Sequence, residues 1–190
     1  MRNYALVLAI CWVTFFAVWA VLAMLGGPGG RRAPTPLGRA VRLVLIALIV
    51  LAFVFRDRLP VGLARSTAEA AAASGVAAVG CVVCVLGLAF AVWARVTLGR
   101  HWGMPMTLHE RPELVTSGPY RYVRHPIYTG VGTMTIGTAL VFPLAAVWSA
   151  AIIAYFVYSA RREERDMERL FPDVYPDYRK RSRMLVPFLF

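Results

Sequence analysis

The sequence predicts an all-α integral membrane protein of about five transmembrane helices, the last two forming a hairpin broken near Pro143. Three observations lead there. The 190 residues are 59% hydrophobic and only 16% charged, against roughly a quarter charged in an ordinary soluble domain. The apolar residues gather into runs of the length a bilayer demands, about 20 residues per helix. The basic residues, which give the chain a formal charge of +11, are distributed unequally between the loops that separate those runs.

Residues 4–25 form the first run, longer than the 7–15 residues of a signal-peptide core, and read as a retained span. Residues 40–55 form a shorter second run and residues 75–94 a third. The apolar stretch 127–158 is too long for one crossing and contains Phe142-Pro143. A proline inside a helix deletes a hydrogen bond and clashes with the preceding turn, so two short helices meeting at a tight turn are expected there. With five segments, seventeen of the 21 Lys/Arg fall on one face and four on the other. Basic loops stay cytoplasmic. The N-terminus is therefore expected outside, with the C-terminus and the segment SGPYRYVRHPIYTG (residues 117–130) inside.

Composition also excludes. A basic soluble chain would suggest nucleic-acid binding, but in a chain with membrane-length apolar runs the arginines serve topology instead, so no nucleic-acid partner is expected. Cys11, Cys81 and Cys84 lie within apolar runs, and Cys81-Val-Val-Cys84 lacks the strand-then-helix setting of a redox motif. They read as small residues packing between helices, as do Gly80, Gly87, Gly132 and Gly137. The segment Gly26-Gly-Pro-Gly-Gly30 has no preceding strand and no following Lys-Ser/Thr, so it reads as a loop rather than a phosphate cradle. His101, His109 and His125 lack metal-site spacing, and no metal is expected.

Two polar clusters share the expected cytoplasmic face. One is the 97–126 loop, with His101, His109, Glu110, Glu113, Tyr120, Arg121, Tyr122, Arg124 and His125; the other is RREERDME at 161–168. Arginines at a helix end commonly anchor to lipid headgroups. Glu163 and Glu164 have no lipid partner there, so they call for a charged ligand or a salt bridge to Arg121 or Arg124. Pro126 biases His125 away from helical geometry, which lets its ring turn from a helix start into a cavity.

LVTSGPYRYVRHPIYTG at 114–130, about 30 apolar residues, and then EERDMERLFPDVYPDYRKRSRMLVP at 163–187 together resemble the isoprenylcysteine carboxyl methyltransferase family of small integral-membrane methyltransferases. The resemblance covers about 90 residues of the C-terminal half. It implies one membrane domain over residues 1–190, with N-terminal spans in 1–96 and a cofactor-binding catalytic half in 97–190. It further implies S-adenosyl-L-methionine as cofactor, held in a cytoplasmic pocket between the loop and the C-terminal helix. Carried over by position, Pro112, Glu113, Leu114 and Val115 would contact the cofactor, then Tyr120, His125, Pro126, Ile127 and Tyr128, with Glu163 reaching it from the tail helix. Family members with a prenyl-cysteine substrate carry an arginine four residues before that glutamate; here Ser159 stands there, with Arg161 or Arg162 as the substitute.

The implied activity is methylation of a lipophilic acceptor entering from the bilayer, with a carboxylate of isoprenylcysteine type as the leading acceptor. A carboxylate is ionised at neutral pH and needs no general base, so no catalytic residue is assigned. A phospholipid amine or a thiol would have to lose a proton, which His101, His109 or His125 could take. Arg-His-Pro-x-Tyr-x-Gly alone also fits an NADPH-dependent sterol-reductase-like protein, and a non-enzymatic scaffold anchored by the loop is the third reading.

Overall fold

A computed structural model describes residues 2–25, 61–99 and 114–186. The described residues are helical, with no strand among them: α1 (Arg2–Leu25), α2 (Val61–Ala73), α3 (Val76–Leu98), α4 (Pro126–Val141), α5 (Ala146–Leu170) and α6 (Tyr175–Arg181). Short 3₁₀ turns occupy Gly118–Arg121 and Pro143–Ala145. Among the described residues, three stretches are long and apolar enough to cross a membrane, Asn3–Leu22, Val76–Leu98 and Pro143–Leu170. The expected run at 40–55 and the glycine loop at 26–30 lie outside the described residues. Helix α2 was not anticipated; its alanine-rich sequence has high helix propensity but no membrane-length apolar run.

The proline break is where the sequence places it. Helix α4 ends at Val141, Pro143 opens a 3₁₀ turn, and α5 starts at Ala146. The two arms are unequal, 16 and 25 residues. The longer one carries its apolar half straight into the charged segment, so Glu163 and Glu164 ride on a continuous helix.

The bundle is organised by a close crossing of α3 and α4. Small residues Gly80, Cys84, Gly87 and Ala91 are buried along one face of α3, meeting Gly130 and Gly137 of α4. A Cβ on Gly137 would stand 2.6 Å from both the Cys84 nitrogen and the Gly80 carbonyl, and one on Gly130 would stand 2.7 Å from the Ala91 nitrogen. In lipid, where apolar side chains gain little by leaving the solvent, such backbone contact is a principal source of helix association. Gly130, the last residue of the loop motif, is therefore a packing residue.

Polar ties complete the bundle. Trp12 Nε1 donates to Thr138 Oγ1 at 3.1 Å, joining α1 to α4. Ser149 Oγ donates to the Thr135 carbonyl at 2.8 Å, joining α5 to α4. Arg95 is buried at the end of α3, where Nη1 donates to Gly99 O at 2.9 Å and Nη2 to Leu22 O at 3.5 Å. A cation at two helix C-termini suits the negative ends of both dipoles. Cys11, Cys81 and Cys84 are buried free thiols. Outward, Leu6, Ile10, Phe16, Val82 and Leu86 are exposed, the apolar surface expected of helices that face lipid.

An apolar cavity of about 760 Å³, lined by Thr67, Ala71, Ile136, Leu140 and Ile153 among others, opens toward the Pro143 end of α4. It lies away from the polar clusters, which meet at the other end of that helix.

The glycine contacts give the first prediction. Gly137→Ala forces α3 and α4 apart and destabilises the bundle by roughly 1–3 kcal/mol, the ordinary cost of overpacking. Gly132→Ala, whose Cβ would meet only Ile153 Cγ1 at 3.7 Å, is neutral or mildly stabilising. Thermal unfolding of the two variants in detergent reads the difference.

Candidate active site where the start of one helix meets the charged half of the next

The site is built by a loop, two helix ends and a returning tail. Gly118, at φ +57°, starts the loop in a left-handed conformation that a side chain would strain. The 3₁₀ turn that follows buries Pro119 and Tyr120. His125 then caps α4 with non-helical backbone (φ −123°, ψ 60°), and Pro126 occupies the first helical turn. Proline there costs no hydrogen bond and presets the helical φ. The chain thus turns sharply at His125, and the ring leaves the helix axis as the Arg-His-Pro string implies.

The C-terminal segment comes back along this loop. Arg124 N donates to Arg183 O at 2.8 Å, His125 N to Met184 O at 3.1 Å, and Arg183 N to Tyr122 O at 3.0 Å. Thr129 Oγ1 donates to Leu185 O at 2.6 Å, and Tyr178 OH to Tyr120 O at 2.6 Å. Met184 and Leu185 pack with Ala160, Tyr128 and Val157. Residues 182–185 therefore strap the loop and the start of α4 to α5.

Beneath the strap lies a buried ion pair. Arg124 Nε donates to Glu164 Oε1 at 2.7 Å, each side chain only 9% exposed. Arg124 Nη1 also donates to Ser182 O at 2.6 Å and Arg179 O at 3.3 Å. This is the salt bridge expected for the acidic pair, and it selects Arg124 over Arg121 and Glu164 over Glu163. Arg179 approaches the other Glu164 oxygen at 4.0 Å.

Glu163 points elsewhere. Its side chain is 49% exposed, with Oε2 3.4 Å from His125 Nδ1, and Oε1 accepts a hydrogen bond from Tyr128 OH. His125 Nε2 lies 3.6 Å from Glu164 Oε1, a charge contact rather than a hydrogen bond, and is buried without a hydrogen-bond partner. The imidazole is therefore flanked by a carboxylate on each nitrogen. Burial alone would push it toward the neutral form, but the close approach of the Glu163 and Glu164 carboxylates outweighs burial and raises its pKa. The rings of His125, Tyr128 and Phe156 stack in series, at centroid separations of 5.6 and 4.7 Å with interplanar angles of 10° and 8°. Burial pushes the Tyr120 phenol upward, with the charge of Tyr178 adding to it, Arg95 opposing it and Glu163 adding to it.

Of the residues singled out from sequence, Tyr120, His125, Pro126, Tyr128 and Glu163 converge here. Leu114, Val115 and Ile127 are half-buried nearby in the chain, and Pro112, Glu113, His101 and His109 lie outside the described residues. Ser159 stands one turn before Glu163 on α5, and Arg162 directly precedes it; both are half-buried. Sequence reasoning missed Phe156, Tyr175, Tyr178 and residues 182–185 as parts of the site. The tail motif holds Tyr175, Tyr178 and residues 182–185, and Phe156 lies in the apolar run before it, but period and charge give no clue that the tail folds back along the loop.

Two outcomes follow. Replacing Arg124 by Met, or Glu164 by Gln, leaves a buried ionic or polar group without its partner and costs roughly 3–5 kcal/mol, whereas breaking the exposed Arg179–Glu168 pair costs less than about 1 kcal/mol; chemical unfolding in detergent compares them. Because the folded-state pKa of His125 is raised, its stabilising contribution is full below about pH 6.5 and disappears as pH climbs through the folded value. Melting temperature therefore declines across that range in the wild type, and the decline is shallower in His125→Gln.

Residues 76–174, just over half of the chain, match the family model described as phospholipid methyltransferase. The match reaches upstream of the two motifs to take in all of α3. The chain is 29% identical over 115 residues to protein-S-isoprenylcysteine O-methyltransferase B of Arabidopsis thaliana, covering 58% of each. It is 33% identical over 101 residues to the nickel-cobalt-cadmium resistance protein NccN of Alcaligenes xylosoxydans xylosoxydans, 49% of this chain and 45% of that one. It is 30% identical over 70 residues to the methanethiol S-methyltransferase of Crocosphaera subtropica, 37% of this chain and 28% of the relative. The chain thus spans from about a quarter to three fifths of these relatives' own length. The likeness to isoprenylcysteine methyltransferases read from the motifs is borne out by these relatives, and the chain belongs to the phospholipid methyltransferase family of membrane proteins.

Proposed function

We infer that this protein is a membrane methyltransferase that uses S-adenosyl-L-methionine and methylates a lipophilic acceptor at the cytoplasmic surface. The observation that carries this is the Tyr128–His125–Glu163 constellation where the start of α4 meets the charged C-terminal half of α5. The residues present fit such a donor. Glu163 is a half-exposed carboxylate for a cation, Tyr128 and Phe156 offer an aromatic wall, and His125 Nε2 is a buried polar atom without a hydrogen bond. Cations are favoured beside both carboxylates and aromatic faces.

When bound, S-adenosylmethionine supplies an electrophilic methyl group on a positively charged sulfur. The chain's own work is then to hold, orient and dry the site, which accounts for most of the acceleration available to such a displacement. Glu163 anchors positive charge, Tyr128 fixes the Glu163 rotamer by its hydrogen bond, and Pro119, Tyr120 and the 182–185 strap close the protein side. Leu114, Val115 and Ile127 extend the cofactor wall in this reading, supported by their place in the motif, and the resemblance adds Pro112 and Glu113 just before it.

A carboxylate of isoprenylcysteine type is the first acceptor to test, because several relatives bear that name. It would meet Ser159 and Arg162 on the α5 face beside Glu163. A thiol acceptor has its own support: Ser159 replaces the arginine associated with carboxylate substrates, and other relatives are named as methanethiol S-methyltransferases. The uneven spread of basic residues over the sequence supports an N-terminus outside and a C-terminus and site in the cytoplasm, within a five-span reading that counts residues 40–55 as a crossing.

Purified protein should bind labelled S-adenosylmethionine, and NADPH should not compete. Glu163→Gln should weaken that binding roughly ten- to a hundredfold, the worth of one charge-assisted hydrogen bond. Incubation with prenyl-cysteine, phospholipid and thiol panels, read by mass spectrometry, identifies the acceptor. Absence of donor binding sinks the proposal.

A further inference from the structure

The geometry points to His125 and the donor's positive charge being alternative occupants of Glu163, so that donor binding drives a proton off His125 Nδ1. The inference rests on the methyltransferase reading above and adds to it a proton coupling.

The cluster around His125 is electrically closed. On the loop, Arg124 is spent on Glu164 at 2.7 Å. On α5, Glu163 and Glu164 face the two imidazole nitrogens at 3.4 and 3.6 Å. On α4, Tyr128 stacks on the ring and donates to Glu163. From α6, Arg179 lies 4.0 Å from Glu164, and from the 3₁₀ turn Tyr120 feels the charge of Glu163. With His125 protonated, Arg124 and His125 balance the two carboxylates. Of these groups only His125 changes charge near neutral pH, because burial pushes the phenols of Tyr120, Tyr175 and Tyr178 upward.

Glu164 is committed to Arg124, so Glu163 is the carboxylate left to meet an incoming cation. It is also what holds the Nδ1 proton. Two cations cannot share one carboxylate at these distances without repulsion in a site whose imidazole is nine-tenths buried. The upward-shifted pKa of His125 depends on Glu163 among its causes, so engaging Glu163 returns the ring toward the neutral form that burial prefers. The proton passes to solvent, leaving imidazole with Nε2–H toward Glu164. With an amine or thiol acceptor, Nδ1 is then available to take the proton that the acceptor sheds. With a carboxylate acceptor no proton is shed, and His125 is reprotonated from solvent once Glu163 is vacated.

The test is isothermal titration of S-adenosylmethionine into the detergent-solubilised full chain, in buffers of different ionisation enthalpy. At about pH 6, release approaching one proton per bound donor is expected, since His125 is then largely protonated. The Kd should fall about tenfold per pH unit while His125 is charged and level off above its pKa. The donor's own amino group titrates near pH 8, equally in wild type and His125→Gln, so the difference between them isolates His125. S-adenosylhomocysteine keeps the ammonium but lacks the sulfonium: release with both ligands names the ammonium as competitor, and release with the donor alone names the sulfonium. Should His125→Gln fail to fold, the imidazole C2 proton of a His101→Gln/His109→Gln variant, in which His125 is the sole histidine, reports the same deprotonation by NMR. Binding with no proton release, or release undiminished in His125→Gln, overturns this inference and leaves the methyltransferase reading standing. No binding at all overturns both.

Discussion

The Arg124–Glu164 ion pair is the contact on which the rest of the site depends. Taking two charges out of water costs several kcal/mol per ion, and a buried pair holds only where further hydrogen bonds satisfy both partners. Arg124 meets that condition by spreading its guanidinium over Glu164, Ser182 O and Arg179 O. One side chain thereby joins the loop, α5 and the returning tail. Because Arg124 directly precedes His125, fixing it also fixes the backbone from which the imidazole projects. Because Glu164 directly follows Glu163, the same pair sets the rotation of α5 that presents Glu163 to the ring.

The membrane bundle supplies the other fixed side. Gly130 lies one turn beyond Pro126, and its backbone rests on Ala91 of α3 with no room for a Cβ. The first turn of α4, which carries His125 and Tyr128, is therefore held against α3 by packing and against the tail by Thr129 and Leu185. A helix terminus held on both sides loses little further freedom when it binds a ligand, and that is how such a site can be preorganised.

Much of this was legible in the sequence because the relevant physics is local. Apolar length reveals spans, Pro143 reveals the break, and Pro126 after His125 reveals a ring thrown off a helix start. The acidic pair next to an apolar helix was legible as a conflict that some partner must resolve. What the sequence hid was non-local. Residues 182–185 are a short stretch of two polar and two apolar residues whose parallel pairing with the loop, at Val123 and Arg183, leaves no periodic signature. Which glutamate takes Arg124 depends on the rotation of α5, and a shift of 100° would exchange the two roles. Helix α2 escaped because it has helix propensity without a span's hydropathy.

The resting charge of His125 bears on what chemistry the site can perform. Where His125 is an imidazolium between two carboxylates it holds its proton and is no base, so under the proposed function the ligand-free site would suit an acceptor that arrives already ionised. It becomes suited to a protic acceptor only when something relieves Glu163 of the imidazolium. A cationic donor seated on Glu163 has the charge to do so, and it is also the one ligand whose presence makes a base useful. A single constellation can thus serve acceptors with and without a proton to lose. The chain's relatives include both an isoprenylcysteine O-methyltransferase and a methanethiol S-methyltransferase, so a site able to serve either kind of acceptor agrees with the company this chain keeps.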